Sequence, residues 1–260
     1  MLKPGLVSIT FRQLPPHEVV KAAARAGLEG IEWGGDVHVV HGDLGAAEQA
    51  ARMTREAGLT VSSYGSYYRL GEEEQAVDFR AVLDTALALE APILRVWPGR
   101  RASADADDAY RARVAEDGRR AAGLASAAGV TLATEWHANS LTDSAESAVR
   151  LFRDVNHENF RTYWQARNNA SVEACLADME AALPRLVGVH VFQWAGPGNE
   201  RRPLAECRAA WTAYLRRAAP AADQRFAMLE FTRDNAPAHM IEDAAVLRDI
   251  LDEVNAGLSR

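Results

Sequence analysis

The chain has 260 residues, 48% of them hydrophobic and 25% charged, with a formal charge of −7 and only two lysines, Lys3 and Lys21. That balance places it among soluble globular proteins able to bury a sizeable core, and it speaks against nucleic-acid or membrane-surface partners, which call for clustered Lys and Arg. The start Met1-Leu2-Lys3-Pro4-Gly5 lacks the pattern of a secretory leader, and no apolar stretch approaches membrane-spanning length, so a cytoplasmic protein is expected.

Gly5–Leu14 reads as a strand broken by Pro15-Pro16, and His17–Ala26 as a helix closed by Gly27. The same unit then recurs: strand Gly30–Trp33 with loop Gly34–Asp43 and helix Leu44–Ala57, then strand Thr60–Tyr64 with loop Gly65–Gly71 and a helix over 72–89. Strand Pro92–Trp97 and loop Pro98–Asp105 lead into helix Asp107–Ala128, and strand Val130–His137 into helix Asp143–Val155. Strand Phe160–Gln165 precedes helix Ser171–Leu183, strand Leu186–Trp194 precedes helix Pro203–Ala218, and strand Arg225–Arg233 precedes helix Pro237–Val254. Eight strands alternate with eight helices and no linker divides them. Short connections between alternating elements imply a parallel sheet with helical crossovers, and this length over eight units is that of a single-domain (β/α)8 TIM barrel spanning 1–260. An open doubly wound sheet is the alternative.

Cys175 and Cys207 fall in helices with no CxxC spacing and are expected as free thiols. Asn169-Ala170-Ser171 matches a glycosylation sequon, which has no meaning in the cytoplasm. Segment 196–202, Gly-Pro-Gly-Asn-Glu-Arg-Arg, offers Arg201 or Arg202 to a phosphate, although an ordinary solvated loop is the simpler reading, and its glycine spacing is not that of a dinucleotide site.

In a TIM barrel the site lies at the C-terminal ends of the strands. Five of the six tryptophans fall there: Trp33, Trp97, Trp136, Trp164 and Trp194. Together they are expected to wall a cavity suited to the C–H face of a sugar-like ligand. The polar groups at the same ends include Glu32, Asp36 and His38; Tyr64, Tyr67 and Arg69; Arg95; Glu135 and His137; Gln165, Arg167 and Asn168; His190 and Gln193; and Glu230, Arg233 and Asp234. Charged residues interrupting apolar strands are costly unless paired or bound to something. Glu135, Gln165, His190 and Glu230 come one each from four consecutive strands, and their donors make a plausible ligand set for Mn²⁺, Mg²⁺, Co²⁺ or Zn²⁺. Trp33, His38, Tyr64, Arg95, Trp97, His137, Asn168 and Trp194 are the candidate substrate contacts.

The order Glu135, Gln165, His190, Glu230 on strands five to eight, with Gly30-Ile31-Glu32-Trp33 at strand two, resembles the xylose isomerase-like TIM barrel superfamily over essentially the whole chain. That group holds sugar phosphate isomerases and epimerases, ketose 3-epimerases, inosose dehydratases and endonuclease IV. The resemblance implies a divalent metal at the four positions and an acid and base pair in Glu135 and Glu230. It implies an isomerase, epimerase or related dehydratase of a sugar, ketose or cyclitol, and it leaves a homo-oligomer open. At strand six the family usually carries Asp and, three residues later, His; Gln165 and Asn168 stand here instead. One ligand charge is lost, although an amide oxygen still coordinates a hard cation. The endonuclease IV branch resembles a three-zinc site needing more His and Asp than these strands supply. The alternative to an enzyme is a metal-free, non-catalytic sugar-binding barrel.

Overall fold

The computed structural model describes residues 1–72, 77–220 and 225–258. Its eight barrel strands are β1 (Leu2–Val7), β2 (Gly30–Gly34), β3 (Thr60–Arg69), β4 (Ile93–Trp97), β5 (Thr131–Glu135), β6 (Phe160–Trp164), β7 (Leu186–Val191) and β8 (Arg225–Leu229). They are joined by helices α1 (Pro16–Arg25), α2 (Leu44–Glu56), α3 (Phe79–Ala88), α4 (Asp108–Ala127), α5 (Ala145–Val155), α6 (Val172–Ala182) and α7 (Arg208–Ala218), with α8 (Pro237–Leu258) closing the chain. Every strand pairs in parallel with its neighbours, and β1 pairs with both β2 and β8, so the sheet closes into a barrel. Among the described residues no helix is long and apolar enough to cross a membrane.

The (β/α)8 barrel is as expected, with informative shifts at the ends of elements. The first strand is earlier than its apolar run suggested: Leu2 to Leu6 pair with Arg225 to Leu229, and Ser8–Phe11 forms a short 3-10 turn. Pro4 and Gly5 are poor strand formers, yet the closed ladder holds them, and the Pro4 carbonyl accepts from the Glu29 amide at 2.8 Å. The third strand runs on to Arg69 through a bulge between Gly65 and Arg69. The expected helix over 72–89 is observed from Phe79, and 73–76 lie outside the described residues. Trp194 is not the end of the seventh strand; it opens a small antiparallel hairpin in which Trp194–Ala195 pairs with Glu200–Arg201. Strand eight stops at Leu229, leaving Glu230 on the first residue beyond it.

Most of the apolar core lies between strands and helices, while a small cluster of Val7, Ile9 and Met228 fills the barrel near its axis. Successive side chains of a strand point to opposite faces, so inward positions recur every second residue. Hydrogen bonds and close approaches fix the inward set: Glu32 on β2, Ser63 and Gly65 on β3, Arg95 on β4, Glu135 on β5, Tyr163 on β6 and His190 on β7. Both cysteines are free.

Candidate active site and metal centre

The inward residues form a chain of charges at the C-terminal end of the barrel. Arg95, 1% exposed, donates from Nε to Glu32 Oε1 at 2.8 Å and from Nη1 to Glu135 Oε2. Ser63 donates to Glu32 Oε2 at 2.7 Å, and the same oxygen lies 3.4 Å from His190 Nε2. Gly65 makes this packing possible, since a Cβ there would stand 2.5 Å from Arg95 Nη2 and 2.9 Å from Glu32 Oε1. Tyr67, on the bulge with φ 58°, places its ring 5.5 Å from the Arg95 guanidinium carbon and its hydroxyl 3.2 Å from Arg12 Nη2.

With Nε2 turned to Glu32, His190 presents Nδ1 to the other side. Around Nδ1 stand Gln165 Oε1 at 3.3 Å, Glu135 Oε1 at 3.5 Å and Glu230 Oε2 at 3.8 Å. Ligand atoms of Glu135, His190 and Glu230 lie within 4.8 Å of one another. Neighbouring donors around a small divalent ion are about 3 Å apart, so a slight contraction of this set would enclose one. Arg95 does not compete for the position: it holds Oε2 of Glu135 and leaves Oε1 facing His190. Glu32 in turn fixes the ring so that Nδ1 is the free nitrogen, the usual outer support for a ligating histidine. The donor set fits a divalent ion.

Electrostatics supports the same assignment. Burial alone would raise the Glu32 and Glu135 carboxyls, but Arg95 and His190 outweigh it and bring both down to about 2. Burial would strip the proton from His190, yet Glu32, Glu230 and Glu135 outweigh it and push the imidazole up to about 10. Glu230 forms no salt bridge with an arginine; burial and the negative field of Glu135 prevail over His190 and the more distant Arg95 and lift it to about 7. With His190 charged and Glu230 neutral, the five groups Glu32, Arg95, Glu135, His190 and Glu230 balance to zero. A divalent ion displacing those two protons would preserve that balance.

Above this floor opens a cavity of about 510 Å³, lined by Glu135, Trp136, His137, Gln165, Asn168, Trp194, Glu230 and Phe231 among others. Of the expected substrate contacts, His137, Asn168 and Trp194 line it. Trp97 stands behind, with its ring 4.2 Å from that of His137 and 4.3 Å from the Arg69 guanidinium carbon. Arg95 lies beneath the floor, saturated by two carboxylates rather than offered to a ligand.

Trp33, His38 and Tyr64 are not in the cavity. Trp33 is fully buried on the helix side, its indole N–H donating to Thr54 of α2 at 3.1 Å. His38 is held between Ser8 Oγ, 3.0 Å from Nδ1, and the Leu14 carbonyl, 3.1 Å from Nε2. Tyr64 donates to the Val39 carbonyl at 2.8 Å. The five-tryptophan wall is likewise reduced: Trp164 faces outward against Trp211 and Tyr214, and only Trp136 and Trp194 line the cavity. Strand parity is the cause. Glu32, Ser63 and Tyr163 point inward, so Trp33, Tyr64 and Trp164, each one residue later, must point outward. Glu32, visible in the sequence as a charge inside an apolar strand, is the residue whose supporting position was missed. Ser63, Tyr67 and Tyr163 complete the surroundings.

Residues 20–191 match the family described as xylose isomerase-like TIM barrel. The chain belongs to this family. Among curated proteins none matches the sequence. Solved structures that this member of the family resembles include the probable 3-DHS dehydratase AsbF involved in petrobactin synthesis from Bacillus anthracis, with a TM-score of 0.79, 18% identity and coverage of 95% of this chain and 99% of that one. An L-ribulose 3-epimerase superposes with a TM-score of 0.72 at 17% identity, covering 100% of this chain and 97% of its own. The D-psicose 3-epimerase of Clostridium cellulolyticum H10, solved with D-tagatose, gives 0.65 at 15% identity, with 99% of each chain covered. At these identities the likeness establishes the fold.

Proposed function

We propose that this xylose isomerase-like barrel is a divalent-metal-dependent isomerase or epimerase, or a related dehydratase, of a small sugar, ketose or cyclitol. The observation that carries the reading is the convergence of Gln165, Glu135 and Glu230 on Nδ1 of His190 at the floor of the cavity. The names of the similar structures, two epimerases and a dehydratase, support the class.

Glu135, Gln165, His190 and Glu230 would hold the ion, Mn²⁺, Mg²⁺, Co²⁺ or Zn²⁺. Once bound, the ion supplies Lewis-acid polarisation of a carbonyl, making the adjacent C–H acidic. The chain's own residues supply the rest. Glu230 lines the cavity beside His190 with no salt bridge to an arginine, and it is the member of the pair placed to take and return a proton. Glu135, fixed by Arg95, presents one oriented oxygen on the other side of the site and is the second member of the pair. His137, Asn168 and Trp194 border the space where a polyhydroxylated ligand would lie. Isomerisation, epimerisation and dehydration share this first proton abstraction.

Metal analysis and calorimetry with Mn²⁺ test the reading. About one ion per chain is expected, together with exchange of substrate C–H for deuterium in deuterated buffer with D-fructose and other ketoses as probes. No ion and no Mn²⁺ or Mg²⁺ binding would overturn it. A second reading, a non-catalytic sugar-binding barrel without metal, is favoured by Gln165 at a position the family usually gives to a carboxylate. It would be supported by sugar binding to metal-stripped protein that does not change when metal is restored.

A further inference from the structure

Resting on the assignment of the cavity as the reaction site, we infer that its natural ligand carries an anionic group, a carboxylate or a phosphate, received by Arg201, which packs against two rings of the cavity lining. Arg201 lies on the hairpin after β7, directly opposite Trp194. Its guanidinium carbon is 4.8 Å from the ring of Phe231 and 5.9 Å from that of Trp194, and both rings line the cavity above Glu230. Nη1 donates to Asn235 Oδ1, a neutral acceptor.

Its charge sets this residue apart from its neighbours. Arg202 pairs with Glu200 at 2.7 Å, Arg167 on the cavity wall pairs with Asp178 at 2.5 Å, and Arg95 holds two carboxylates. Arg201 forms no salt bridge with any described residue, and the carboxylate whose field reaches it is that of Glu230 on the cavity floor. A guanidinium carries five N–H donors in a planar fork, and holding one half-buried between aromatic rings with a single neutral partner leaves most of that capacity for something else. Carboxylates and phosphates match the fork, and such charge-assisted bonds are about twice as strong as neutral ones.

The rest of the lining decides orientation. Glu135, Glu230 and Asp143 line the cavity together with Arg167, which is already paired with Asp178. Of Arg95, Arg167, Arg201 and Arg202, only Arg201 forms no salt bridge, so the charged end of the ligand goes to Arg201 and its neutral hydroxyl and carbonyl end to the floor. Asn199, in the turn of the same hairpin, lines the cavity and adds a neutral polar group beside the anion.

The test measures calorimetric affinity of the full chain for three probes, D-glucose, D-glucuronate and D-glucose 6-phosphate, in Mn²⁺-loaded and chelator-treated protein. At least one anionic probe should bind about tenfold or more tightly than glucose, as one charge-assisted pair predicts. Which anion gains more distinguishes a carboxylate from a phosphate. Arg201→Gln should abolish the preference, Arg201→Lys should retain part of it, and Arg202→Gln, on the exposed neighbouring pair, should retain all of it, with unchanged melting temperatures. If no anionic probe binds better than glucose, or if Arg201→Gln keeps the preference, the inference is overturned. The two readings fail separately. An anion preference without any metal binding removes the metal chemistry and keeps the anion site, and one ion per chain without anion preference does the reverse.

Discussion

Replacing Arg95 with Met would remove a single buried cation from between two buried carboxylates, Glu32 and Glu135. Breaking a buried ion pair by deleting one partner costs about 3–5 kcal/mol, because the remaining charge is stranded in low dielectric. For a chain of this size that corresponds to a fall in melting temperature of roughly 6–9 °C. The pH dependence carries the sharper signature. Both carboxyls sit at about 2, below the ordinary 4.5, so their contribution is complete above pH 4.5 and is lost as the pH falls through 2. The variant lacks most of this contribution at every pH. The stability gap between wild type and variant should therefore be widest near pH 7 and narrow below pH 4.5, by up to about 1.4 kcal/mol per group per pH unit. Urea or thermal unfolding of both proteins from pH 3.5 to 8, with chelator present so that no bound ion replaces the arginine, measures it directly. A gap below about 1 kcal/mol at pH 7, or one of constant size down to pH 3.5, would refute the assignment of Arg95 as the electrostatic keystone of the floor.

Glu135→Gln and Glu230→Gln should each retain the native circular dichroism spectrum while slowing substrate C–H exchange by about 10²-fold or more, in line with the loss of an acid or base; full turnover in either variant would remove that residue's role. Mn²⁺ affinity should rise with pH, since binding must displace the proton of His190, held up to about 10, and that of Glu230, held at about 7; calorimetry in buffers of different ionisation enthalpy would count the protons released. Gly65→Ala drives a methyl against Arg95 and Glu32, and should cost about 1–3 kcal/mol in stability and weaken metal binding at once. Trp33→Phe removes the bond to Thr54 and should lower stability by about 1 kcal/mol while leaving ligand affinity unchanged, the expected behaviour of an indole on the helix side of the wall.

The eightfold alternation is legible because strand and helix carry different periods and glycines mark the helix ends, and closure follows from the count. Glu135, Gln165, His190 and Glu230 stand out because a polar residue inside a buried strand needs a reason. The tryptophans mislead because distance from a strand end says how high a residue sits in the barrel, whereas parity says which way it faces. Trp33 and Trp164 are at the right height on the wrong side. Glu32 is visible, but its task is not, since its partners come from three other strands, Ser63 on β3, Arg95 on β4 and His190 on β7. Tyr67 owes its place over Arg95 to a bulge and a left-handed backbone, neither of which leaves a periodic signal.

The hairpin after β7 separates two kinds of evolutionary freedom. The carboxylates and imidazole of the floor belong to, or directly adjoin, strands locked in register around a closed ladder, where a one-residue slip would turn every side chain to the other face. Trp194, Asn199 and Arg201 belong to an eight-residue excursion, 194–201, anchored to that ladder through the Gln193 carbonyl and the Arg202 amide, 2.8 Å apart. Such an excursion can be lengthened, shortened or exchanged without disturbing the floor of the cavity. Diversification of ligand choice in this lineage should accordingly concentrate between 194 and 202, and grafting that stretch is the economical route to re-engineering what the barrel accepts.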